Sequence, residues 1–171
     1  MDQLSFVESF RTSPFILTEG AIVERLRHEF QIPLDKHIVH AALIYNDSYR
    51  ETLAVIYRQY LQIAADFRLP LMLMTPTRRA NMEQIAESDY RHKNVLADNV
   101  SFLSRFRTGT SIPVYIGGLA GCRGDAYDGR YCLSVEEAME FHFPAVRTMA
   151  ESGVDYLFAG IMPQLTEAIG M

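Results

Sequence analysis

The sequence predicts an α/β fold in which a parallel sheet is covered by helices. Two observations carry this. The strand candidates are short, unbroken apolar runs rather than alternating ones, and helical sequence separates each from the next. Four such βα units follow one another, with no internal repeat beyond that alternation and no linker. The 171 residues therefore read as a single domain, or part of one.

Residues 1–13 are expected to form an N-terminal arm or lead-in helix. The first strand falls near residues 14–18, where Pro14-Phe15-Ile16-Leu17-Thr18 is closed by Glu19-Gly20. Ala21 to Phe30 has helical spacing, with Ile22, Leu26 and Phe30 on one side. Residues 31–47 are irregular, with a short helix or strand at His40–Tyr45. Ser48-Tyr49-Arg50-Glu51 is a capping-box pattern heading an amphipathic helix that runs to about Phe67, its Leu53, Ile56, Tyr57, Tyr60 and Leu61 at three-and-four spacing.

The second strand is expected near 70–75, and Asn81-Met82-Glu83-Gln84 opens helical segments reaching about Arg107. A third strand near 112–117 has a glycine-rich exit at Gly117-Gly118. Ser134-Val135-Glu136-Glu137 is another capping box, and its helix stops near Ser152-Gly153. The fourth strand lies near 154–159, and Pro163 begins a further helix.

Composition narrows the partners. A net charge of −5 with no basic run leaves no electrostatic footprint for nucleic acid. No stretch approaches the roughly 18 apolar residues of a membrane-spanning helix, so no membrane partner is expected. The first residues lack the basic-then-apolar layout of a signal peptide, which makes the cytoplasm the expected location. The two cysteines, Cys122 and Cys132, agree with a reducing compartment and make no disulfide framework.

Ligands of parallel sheets sit at the carboxyl ends of the strands. Glu19, at the first exit, is placed to hold an amino group over an open rim, or else to favour the dipole of the next helix. Thr75 and Thr77 offer hydroxyls on either side of Pro76, and Gly20, Gly117 and Gly118 allow close approach to backbone or simply serve the turns. Arg78 and Arg79 suit an anion or nearby acids. The run Gly117-Gly118-Leu119-Ala120-Gly121 lacks both the lysine of a P-loop and the spacing of a dinucleotide fingerprint. His142, between Phe141 and Phe143, reads as a hydrogen-bonded structural histidine; His28, His37, His40 and His92 show no metal spacing, and no catalytic residue is assigned.

These residues bring a resemblance. Phe15-Ile16-Leu17-Thr18-Glu19-Gly20-Ala21 looks like the opening strand of the homocysteine S-methyltransferase family, apolar residues followed by Asp-Gly-Ala. Tyr57-Arg58-Gln59-Tyr60-Leu61 is similar to its His/Tyr-x-x-Tyr-Leu segment, and Thr75-Pro76-Thr77 with Ala80-Asn81 resembles its Thr-Asn-Thr-Tyr-x-Ala-Ser. Gly117-Gly118 and Arg123-Gly124-Asp125-Ala126-Tyr127 resemble the loop after its third strand. Phe141-His142, Ala150 to Leu157, and Pro163 with Glu167-Ala168 match later elements in the same order.

The resemblance implies the first half, about four βα units, of a TIM-type (β/α)8 barrel. It implies zinc-dependent transfer of a methyl group to the thiol of homocysteine or a similar small thiol or amino acid, zinc holding the thiol as thiolate. The implied substrate contacts are Glu19, Gly20 and Thr75. Three departures stand out: Glu19 replaces an Asp, Gly160 stands where the family has a glutamate for the substrate amino group, and the zinc cysteines would follow strands six and eight. Cys122 and Cys132 do not reproduce that trio, so no metal or other cofactor is expected in this chain, although zinc is in a complete member. The chain alone is then expected to be inactive. The alternative is a non-catalytic ligand-binding or assembly module on the same scaffold. Two unpaired sheet edges, with Ile16, Met72, Met74, Ile116 and Phe158 lining the barrel face, make self-association the expected remedy.

Overall fold

A computed structural model describes residues 4–171. Four strands, β1 (Leu17–Thr18), β2 (Leu71–Met74), β3 (Val114–Gly121) and β4 (Tyr156–Gly160), form one parallel sheet in sequential order. Between them lie α2 (Ile22–His28), α3 (Asp47–Phe67), α4 (Met82–Glu87), α5 (Val95–Ser104) and α6 (Val135–Glu151). The helix α1 (Phe6–Thr12) precedes the sheet and α7 (Leu165–Gly170) follows it. Residues 1–3 of the expected arm lie outside the described residues; most of the rest is α1, opened by a reciprocal Ser5–Glu8 capping box and ended at Ser13.

The main core lies between the sheet and its helices. Leu71, Leu73, Val114 and Ile116 face Leu26, Leu53, Ile56 and Phe102, all nearly inaccessible to water. In β2 the alternation is plain, with Leu71 and Leu73 buried and Met72 and Met74 half-buried. Ile116, expected on the barrel face, sits instead beside Leu73 on the helix side, because strand residues alternate faces and the register pairs those two. The opposite, concave face is partly filled by α1. Phe6 stacks on Tyr156 with ring centroids 4.7 Å apart and meets Tyr115 edge-on, whose hydroxyl donates to the Leu4 carbonyl at 2.9 Å.

Two local expectations change. The cap of α3 is Asn46, not Ser48: its backbone is extended and its side chain accepts from the Tyr49 N–H at 3.1 Å, leaving Ser48 inside the helix. Ser134 and Glu137 do form the capping box of α6. The third strand is also longer than expected. It continues through Gly117-Gly118 to Gly121, so that glycine pair lies inside the ladder, paired with Tyr156 and Leu157.

Those glycines answer to packing. A Cβ on Gly117 would lie 2.2 Å from the Tyr156 ring, and one on Gly118 would lie 2.9 Å from the Met149 sulfur. The buried pair His142–Glu167, Nε2 to Oε1 at 2.9 Å, ties α6 to α7, and the same oxygen accepts from the Arg123 N–H. Because Tyr156 is held by Phe6 on its other contacts, Gly117→Ala should overpack the concave face and cost about 1–3 kcal/mol. Thermal melts read this directly; an unchanged midpoint would show that Tyr156 is free to move.

Candidate functional site

At the carboxyl ends of the strands two cavities meet. The inner one, about 590 Å³, is walled by Glu19, His40, Tyr57, Thr75 and Phe158 among others. The outer one, about 460 Å³, takes in Arg27, Lys36, Arg79, Cys122 and Asp125. Val23, Glu24, Arg78, Gly160 and Ile161 line both, which makes them two chambers of one cleft.

Glu19 is the centre of the inner chamber. It does not sit on an open rim: it is 8% exposed, beneath α3 and its fully buried Tyr57. Its Oε1 accepts from the Met74 N–H at 2.9 Å, while Oε2 is buried with no partner among the described residues. Burial raises its pKa to about 7, against the pull of the backbone hydrogen bond from Met74. A carboxylate so placed is short of one hydrogen-bond donor or one positive charge.

His40 stands nearby, 6% exposed, with Nδ1 likewise unpartnered among the described residues. Burial first, and then the charges of Arg78 and Arg27, push its pKa down to about 3, so the imidazole is neutral. The Tyr57 hydroxyl is committed to the Met74 carbonyl at 3.1 Å and its pKa is pushed well up by burial. Three non-glycine residues that line the cleft, Ala21, Val39 and Ile161, hold positive φ angles of 48°, 53° and 58°. Such conformations cost on the order of 1–3 kcal/mol each and gather where a site requires them. Val39 directly precedes His40 and sets its entry.

Of the six expected binding residues, Glu19, Gly20 and Thr75 line the inner chamber. The Thr75 hydroxyl is occupied, however. Thr77 donates to the Leu119 carbonyl at 2.7 Å, which leaves Thr75 to donate to Thr77 at 2.7 Å while accepting from the Leu119 N–H at 3.0 Å. The two threonines thus clamp the exit of β2 onto β3, and Thr77 lies outside both chambers. Gly117 and Gly118 are away from the cleft, under Tyr156 and Met149. Sequence reasoning passed over His40, whose surroundings carry no periodicity, and read Tyr57 as part of a helix face and of a family-like segment, not as a residue of the site.

The cysteines do not form a zinc site. Cys122 is buried, which pushes its thiol up, and Cys132 is exposed with its sulfur 3.9 Å from Gln164 Oε1. Among the described residues no three His, Cys, Asp or Glu side chains converge as a metal would need. No described helix is long and apolar enough to cross a membrane.

The fold and the cleft define a parallel α/β half-barrel with a ligand-sized cavity at its strand exits. Residues 16–171 match the family model described as homocysteine S-methyltransferase, and the chain belongs to that family. A 45-residue stretch, 26% of this chain and 14% of the relative, is 42% identical to homocysteine S-methyltransferase YbgG of Bacillus subtilis (strain 168). The crystal structure of the homocysteine methyltransferase MmuM from Escherichia coli in its oxidised form superposes with a TM-score of 0.73 at 18% identity, over 92% of this chain and 56% of that one. Its metallated form gives 0.69 at 19%, over 95% and 58%. The chain thus spans little more than half the length of these structures, and the likeness to them shows the shared fold.

The raised pKa of Glu19 has a consequence for stability. The folded value, about 7, lies above the ordinary 4.5, so between those limits the native state binds more protons than the unfolded one. Stability therefore falls as pH rises across that window, by about 3 kcal/mol from this group. Denaturant titrations of the chain and of Glu19→Gln should converge at low pH and separate towards neutrality, Glu19→Gln becoming the more stable. Parallel profiles would place Glu19 in contact with water.

Proposed function

We propose that this chain forms the first four βα units of a TIM-type barrel, and that its inner chamber seats the acceptor of an S-methyl transfer. The acceptor would be homocysteine or a similar small amino-acid thiol. The carrying observation is the buried Glu19 carboxylate with its unpartnered Oε2. An ammonium placed there supplies both the hydrogen bond and the opposite charge that burial has denied it. Gly160 presents no carboxylate, and Glu24, which also lines the chamber, is paired with Arg27 and His28, so Glu19 is the carboxylate left to meet the amino group.

The neutral His40 offers a second fixed polar contact, and Phe158 and Leu119 give the thiol end an apolar wall. These residues bind and orient; none is placed to activate the sulfur. The family expectation of zinc finds no fitting ligand set in these residues, and we assign no step to it. Binding without turnover is accordingly what the 171-residue chain should show. A strictly non-catalytic module would show the same binding, and would remain without turnover when supplied with the residues that hold zinc.

The same reading has the open sheet covered by a second copy. At β4, Leu157 and Phe158 are 41% and 42% exposed, and α7, packed on α6, exposes Leu165 and Ile169. Light scattering should find the chain self-associated; a monodisperse monomer would remove this part of the proposal.

Homocysteine and methionine titrated into the chain by calorimetry should bind saturably, with affinity rising as pH passes through about 7 and Glu19 ionises. A charge-assisted hydrogen bond in a buried site contributes about 1.5–3 kcal/mol, so Glu19→Gln should weaken binding at least about tenfold and flatten the pH profile. Binding indifferent to both pH and Glu19→Gln would place the amino group elsewhere.

A further inference from the structure

The outer chamber differs in chemistry from the inner one and is not used by the acceptor reading. Its walls carry four basic groups, Arg27, Lys36, Arg78 and Arg79, against three acids, Glu24, Asp35 and Asp125. Each acid is already occupied. Glu24 pairs with Arg27 at 3.6 Å and with His28 at 3.2 Å. Asp125 pairs with Arg79 at 3.8 Å and accepts from the Tyr127 N–H. Asp35 accepts the N–H groups of His37 and Ile38, both at 2.8 Å. Arg78 and Lys36 have no ion-pair partner among the described residues. In a chain whose net charge is −5, a cavity lined by four basic against three acidic side chains, with two of the cations outside any ion pair among the described residues, is not a sample of the general surface.

Arg78 is also seated, not merely exposed. Gly121, at the end of β3, donates its N–H to the Arg78 carbonyl at 3.1 Å, and a Cβ there would lie 2.4 Å from that oxygen and 2.8 Å from the Arg78 Cγ. The Thr75–Thr77 clamp fixes the residues just before it. The half-buried guanidinium is therefore delivered, by a rigid strand exit, to the wall that both chambers share. It is close enough to His40 for its charge to help keep that imidazole neutral.

We propose that the outer chamber is an anion subsite, in which Arg78 and Lys36 take a carboxylate or phosphate group of a substrate bound across the cleft. The planar fork of arginine suits either oxyanion through paired hydrogen bonds, with the lysine as a second, mobile charge. This goes beyond the acceptor reading and does not depend on methyl transfer.

Amide and arginine side-chain NMR spectra of the intact chain, titrated with inorganic phosphate and separately with glutarate, test it. The expected result is saturable shifts at millimolar concentration confined to Gly121, Cys122, Gly124 and the Arg78 guanidinium, weakened by sodium chloride. Saturation by one probe alone assigns the subsite to that class of anion. Arg78→Gln should weaken binding at least about tenfold, with Arg78→Lys intermediate. Should Arg78→Gln fail to fold, Lys36→Gln, at an exposed position, decides by the same loss. Shifts that never saturate, or that survive both Arg78→Gln and Lys36→Gln, overturn the proposal. Because Glu19 and turnover are not read, failure here leaves the acceptor seat standing, and failure of the acceptor seat leaves this one.

Discussion

One hydrogen bond, from the Met74 N–H to the carboxylate of Glu19, joins the architecture to the site. The strand β1 is two residues long and pairs with β2 only at Leu17 and Thr18. The main chain then turns away through Gly20 and the left-handed Ala21 to begin α2. The Glu19 side chain continues what the backbone leaves off, and holds the end of β2 by reaching across. That duty draws the carboxylate out of water, raises its pKa, and leaves its second oxygen buried and unsatisfied. A purely structural solution would satisfy both oxygens. Here one anchors the strand, and the other is buried without a partner in a residue that lines the inner chamber.

The cleft divides charge between its two ends. Inside, the buried Glu19 carboxylate and a neutral imidazole lie among largely apolar walls, with Glu24 on the wall shared by both chambers; outside, basic side chains outnumber acidic ones four to three. Arg78 stands between them and Gly160 gives the shared wall no side chain. A ligand spanning the cleft would meet opposite charge requirements at its ends. The positive φ angles of Ala21, Val39 and Ile161 surround this space, which indicates backbone held to a shape by its neighbours more than by local preference.

Much of the fold was legible because its signals are local. Unbroken apolar runs marked the strands, and Ser134 with Glu137 marked the start of α6. The errors share a cause, which is that one signal serves two structural ends. Gly117-Gly118 read as a turn but makes room for Tyr156 and Met149 inside the ladder. Ser48 had the capping-box spacing, yet Asn46 two residues earlier caps equally well and took the position. Glu19 was read as a candidate binding carboxylate from its place after a strand, and it lines the inner chamber. Its burial could not be read, because it depends on α3 packing over it from distant sequence. His40 lay in an irregular segment with nothing to distinguish it.

The most direct test is titration of the Glu19 carboxyl carbon by NMR in the 171-residue chain. A midpoint near pH 7, moving down when an amino-acid ligand brings its ammonium, is the result this account requires. An ordinary midpoint near 4.5, unmoved by ligand, would mean that Glu19 is hydrated and that neither the strand anchor nor the acceptor seat exists as described.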